Sequence, residues 1–111
     1  QTGAKVTGEL QVTDDITAFY SSDRRLKDNI VPIPNALDKV ISISGNTFDW
    51  NSSSKKEGSE VGVIAQEIEA LGLPGITTIR DDGKYAVRYE KLVPLLIEAI
   101  KELSAKVDAL S

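Results

Sequence analysis

Along the first part of the chain the apolar side chains fall on even positions, Val6, Leu10, Val12, Ile16, Ala18 and Tyr20, with polar or small residues between them. A period of two belongs to strands that bury one face. Two short strands are therefore expected over residues 6–20, broken near Thr13-Asp14-Asp15. A lone strand pair leaves its edges unpaired and is marginal in water, so this segment reads as the end of a longer β structure. Over residues 21–29 (SSDRRLKDN) Leu26 is the one apolar side chain, which predicts a surface connection.

Helical and strand signals then alternate. Pro34 is expected in the first turn of a short amphipathic helix carrying Ala36, Leu37, Val40 and Ile41. Residues 43–50 read as a strand interrupted at Gly45-Asn46, and residues 51–59, rich in Ser and Lys, as a mobile loop. A strand over 60–64 should run directly into a helix over 65–71 that stops at Gly72. Two β-rich runs, 76–79 and 85–89, flank Asp81-Asp82-Gly83 and predict a hairpin with Gly83 at a positive φ.

The last segment carries the plainest pattern. Tyr89, Val93, Leu96, Ile100, Leu103, Val107 and Leu110 recur at steps of four and three, a heptad seam that should wind against copies of itself. Leu92, Leu95 and Ala99 widen its upper part, so the first turns should pack on the domain and the later turns, flanked by Lys101, Glu102, Lys106 and Asp108, should meet partner helices. Pro94 then belongs near the first turn. β-Branched residues at one seam position (Val93, Ile100, Val107) and leucine at the other (Leu96, Leu103, Leu110) favour two parallel helices. The fold class is α+β: N-terminal strands, a small mixed domain and a long C-terminal helix in an intersubunit coiled coil.

Composition narrows the chemistry. With 111 residues and 5% aromatics, the chain supports one small domain with extensions whose sparse core favours oligomerisation. Thirteen basic and seventeen acidic residues give a net charge of −4, which argues against a nucleic-acid partner. The absence of Cys and His excludes disulfides, thiolate or imidazole metal sites and histidine-based triads. No metal or other cofactor is expected. No apolar run approaches the ~20 residues of a membrane span, and no charged-then-apolar leader pattern opens the chain.

Ser22 and Lys27 are the remaining candidate pair. A serine hydroxyl needs a base, and without histidine a neutral lysine can serve. Residues five apart lie about 140° apart on a helix and on opposite faces of a strand, so a turn or a second subunit must join them. Bringing a lysine from ~10.4 to ~7 takes roughly 4 to 5 kcal/mol, which burial and cationic neighbours such as Arg24 and Arg25 could supply once subunits assemble. Attack on the preceding carbonyl passes through a five-membered ring and attack on serine's own carbonyl through a four-membered one, which puts the cut between Ser21 and Ser22. Attack on another chain, a cut after Ser22, and Ser21 as substitute nucleophile stay open.

The segments SSDRRLKDNI, EVGVIAQEIEAL and YAVRYEKLVPLLIEAIKEL, in this order, resemble the peptidase S74 family, the intramolecular chaperone of endosialidase. The resemblance implies a module that trimerises phage tail spikes and fibres, guides folding of their stalks and then severs itself with a serine and lysine dyad. Ser22 and Lys27 match the pattern of Ser-Asp followed by Lys five residues after the Ser. It also implies that residues 1–21 end the fibre stalk, 22–88 form the chaperone and autoprotease core, and 89–111 form the coiled-coil helix. Three subunits are implied where the heptad code favours two; domain and stalk contacts also set stoichiometry. The partners would be two further copies and the upstream stalk, with no nucleic acid and no membrane. The parent fibre would sit in the virion tail after assembly in the host cytoplasm.

Two other readings compete: a trimerisation module that does not cleave, and the related self-cleaving domain of a membrane-tethered transcription factor. Receptor binding is expected to reside upstream, because no exposed aromatic cleft or carbohydrate-type acid pair is legible here.

Overall fold

The spacing that predicts helices and strands from residue 31 onward acts through one small buried apolar cluster and two further buried isoleucines. The computed structural model describes residues 3–111, and the chain divides into two compact units, the first ending at Ile30 and the second Val31–Ser111.

In the second unit α1 (Ala36–Ile41) packs along α3 (Leu92–Ala109). Ala36, Leu95 and Ala99 are buried at this crossing, surrounded by Ile33, Leu37, Val40, Ile43, Leu71 and Leu73. The alanines add little bulk on either helix, so the two backbones can approach closely while Leu95 fills the space between them. Pro34 stands in the turn before α1, and Asn35 takes a left-handed conformation (φ 52°) as its N-cap. Pro94 is the third residue of α3, where a missing N–H leaves no intrahelical bond unmade.

Two antiparallel pairs complete this unit. β1 (Asn46–Asp49) pairs with β2 (Ser59–Gly62), Phe48 standing opposite Glu60. The strand begins at Asn46, so Gly45-Asn46 marks its start and does not interrupt it. β2 leads through Val63 and Ile64 into α2 (Ala65–Glu69), and Gly72 at φ 71° follows the helix end. β3 (Thr77–Ile79) and β4 (Tyr85–Val87) form the hairpin, with Gly83 at φ 82° donating its N–H to the Arg80 carbonyl at 2.8 Å. Ile68 of α2 and Ile76 are buried, and α2 packs on β3 and β4.

The first unit departs from expectation. Residues 3–20 contain no strand: a bend at Thr13–Asp14 marks the expected break, but the alternating apolar side chains on either side are exposed. The alternation identifies a face suited to burial. It supplies no hydrogen-bonding partner, and a strand exists only where one is present.

Candidate active site

Asp23 is a preferred N-cap residue, because a short carboxylate can accept from the free N–H groups that open a helix. Its Oδ1 accepts from the Arg25 backbone N–H at 2.8 Å and caps a single 3-10 turn, Arg24–Leu26. The Asp23 carbonyl accepts from Leu26 N–H at 3.0 Å, and the Arg24 carbonyl from Lys27 N–H at 3.1 Å. The backbone is extended at Asp23 (φ −66°, ψ 134°) and again at Lys27 (φ −128°, ψ 137°). One tight turn between two extended residues therefore brings the flanking side chains together.

Lys27 Nζ lies 2.7 Å from Ser22 Oγ. The separation that neither a regular helix nor a strand could close is closed within one chain. At this distance a charged lysine donates to the hydroxyl, and a neutral lysine accepts the hydroxyl proton along the same line. Both residues, and Ser21 before them, are exposed.

The two arginines differ from a simple pair of cations around the lysine. Arg25 places Nε 3.1 Å from Asp23 Oδ1 and a terminal nitrogen 2.9 Å from Oδ2, a two-pronged contact. The Arg25 side chain, followed by its backbone N–H, holds the Asp23 carboxyl below its ordinary value, and Asp23 in turn raises Arg25. Arg25 is thus bound to the residue that caps the turn. Arg24 is exposed on the turn. Asp23, which the sequence shows only as the second residue of the Ser-Asp pattern, is the N-cap of the turn, and an aspartate directly ahead of a short helical turn is a readable N-cap signal.

The residues expected to form the heptad seam lie along α3 and at its C-cap, Leu110. Leu95 is 0% exposed against the domain, whereas Val93, Leu96, Ile100, Leu103, Val107 and Leu110 all remain open, Leu110 at 88%. They form a row of exposed apolar side chains that spans about five helical turns. Among the described residues no helix is long and apolar enough to cross a membrane, and no group of three or more acidic, cysteine or histidine side chains is placed to hold a metal.

The chain belongs to the peptidase S74 family, the chaperone of endosialidase, whose family model matches residues 22–77. It is similar to long tail fiber protein Gp37 of Enterobacteria phage K3 and of Enterobacteria phage T2, each 36% identical over 112 residues and 93% of this chain. It is also similar to long tail fiber protein Gp37 of Salmonella phage S16, 37% identical over 73 residues and 61% of the chain. These alignments cover 9%, 8% and 10% of the respective relatives, so the chain spans a small part of their length. The family match opens on Ser22 and ends at Thr77; the segment YAVRYEKLVPLLIEAIKEL, expected to share the resemblance, lies beyond it.

Proposed function

We propose that this chain is the assembly module of a phage long tail fibre, which trimerises, guides the folding of the stalk and releases itself by cutting the Ser21–Ser22 bond. The observation that carries the cleavage reading is the 2.7 Å contact between Lys27 Nζ and Ser22 Oγ. The open seam of α3 supports the association reading.

The chemistry balances on these residues alone with one water. Neutral Lys27 takes the Ser22 hydroxyl proton as Oγ attacks the Ser21 carbonyl carbon through a five-membered ring. Collapse of the adduct breaks the peptide bond, and Lys27 returns the proton to the departing Ser22 nitrogen. An ester then joins Ser21 to Ser22 Oγ. Water hydrolyses it, giving a Ser21 carboxylate and restoring the Ser22 hydroxyl on a new N-terminus. Subunit association provides the burial that the exposed pair of a single chain lacks, so the cut follows assembly.

Such a device answers a folding problem. Strands interleaved from several chains are non-local contacts, slow to form and prone to mispairing. Joining the chains at a helix seam raises the effective concentration of the strands. Removing the module afterwards leaves the stalk held by the slowness of its own unfolding.

Intact-mass measurement of the parent beside Ser22→Ala and Lys27→Ala tests the cleavage reading. Two pieces divided before Ser22 in the parent, and one uncut species in each variant, are expected. Equal cutting in all three would refute it.

A further inference from the structure

Among the four residues between Ser22 and Lys27, Asp23 does no chemistry in the scheme above. The side chain of Asp23 is engaged three times within the turn: Oδ1 accepts from Arg25 N–H and from Arg25 Nε, and Oδ2 from the Arg25 terminal nitrogen. These contacts tie the start of the 3-10 turn to its middle, while Lys27, its C-terminal cap, returns its amine to Ser22. An exposed turn of three residues has little else to hold it, since its residues are all exposed and Leu26 is not packed in a core. Short helical turns are unstable without such caps, because their opening N–H groups have no partner within the turn.

We infer that Asp23, clamped by Arg25, is the positioning residue of the self-cleavage reaction: it shapes the turn that delivers Lys27 to Ser22. The inference rests on the dyad reading proposed above. It gives Arg25 a task distinct from depressing the basicity of Lys27, namely fixing the aspartate that fixes the turn. A cap needs an acceptor oxygen at this position but not a charge, so Asn or Ser in place of Asp23 gives up the two-pronged contact with Arg25 but preserves the cap. Alanine removes it. The clamp requires the arginine fork, which lysine cannot reproduce in a two-pronged contact.

The test compares self-cleavage of the assembled chain carrying its fibre stalk with that of Asp23→Ala, Asp23→Asn, Asp23→Ser and Arg25→Lys, across pH. Misplacing a reacting group by about 1 Å costs on the order of 100-fold in rate. Asp23→Ala should fall by about that factor at every pH, with an unmoved pH midpoint and an unchanged oligomer mass. Asp23→Asn and Asp23→Ser keep the capping oxygen but lose the two-pronged contact with Arg25, so they and Arg25→Lys should all lie between the parent and Asp23→Ala.

Asp23→Ala cutting at the parent rate would overturn the inference, as would Asn failing as fully as Ala with a shifted pH midpoint, which would make the charge the active feature. A second measurement separates this failure from failure of the dyad. In the uncut Ser22→Ala background, nuclear Overhauser contacts between residues 24 and 26 report the turn directly. They should be present with Asp23 and lost in Asp23→Ala; their persistence without Asp23 would contradict the positioning role. If the turn depends on Asp23 but the Ser22→Ala variant is still cut, the dyad reading falls and the catalytic part of the inference falls with it.

Discussion

The carboxylate of Glu102 caps a helix that lies far from it in sequence: its Oε2 accepts the Ala36 N–H at 2.9 Å, and its Oε1 accepts the Leu37 N–H at the same distance. The N-cap of α1, Asn35, makes no side-chain cap bond of its own, so α3 provides what the local sequence does not. The contact ties α3 to the start of α1.

These two backbone bonds, Leu37 before Ala36, hold the Glu102 carboxyl below its ordinary value, with smaller help from Lys106 and Lys39. A depressed carboxylate stabilises the fold at pH values above its unfolded-state pKa and loses that contribution as pH falls through the depressed folded value. Glu102→Gln is therefore expected to melt several degrees below the parent at neutral pH, with the difference closing as the solution is acidified through the carboxylate range. Thermal melts of the two proteins over a pH series check this. A difference independent of pH would assign the effect to shape and not to charge.

Gly62 is required by the ring above it. A Cβ at this position would stand 2.5 Å from Tyr89 Oη and 3.1 Å from the Phe48 ring, and Tyr89 Oη accepts the Val63 N–H at 3.1 Å. Gly62→Ala should destabilise the protein by about 1–3 kcal/mol, the usual range for overpacking. Tyr89→Phe should cost about 1 kcal/mol by removing one hydrogen bond. Adding Tyr89→Phe to Gly62→Ala relieves the closest clash, so the double variant should be less destabilised than the sum of the two. Urea unfolding of all three measures it.

The two faces of α3 should respond in opposite ways. Leu95→Ala opens a hole in the buried cluster with Ala36 and Ala99 and is expected to cost about 2–5 kcal/mol. Leu103→Asp and Val107→Asp change exposed positions, so circular dichroism should show the chain still folded while light scattering shows the loss of association. Retained association in both would remove the seam from the assembly surface.

Much of the second unit was legible. The helix over α3, the α1 positions, the Gly72 stop and the Gly83 hairpin follow from local spacing and from backbone conformations that glycine favours, both of which are written in neighbouring residues. Ser22 and Lys27 were legible as two residue types, but the turn between them carries contacts of Asp23 with Arg25 two residues on, a detail that charge density alone conceals. Glu102 was read as a flank of the seam because its bonding partners lie 65 and 66 positions away. The strands expected over residues 6–20 rested on a pattern that reports which side chains seek cover and not which chain provides it.

Self-cleavage gated by assembly is the central claim, and molar mass and intact mass recorded together on one sample test it most directly. The parent is expected to be a trimer cut before Ser22, with Leu103→Asp and Val107→Asp monomeric and uncut, and Ser22→Ala trimeric and uncut. A monomer cut as fast as the trimer would contradict the gating by assembly, and an uncut parent trimer would contradict the cleavage itself.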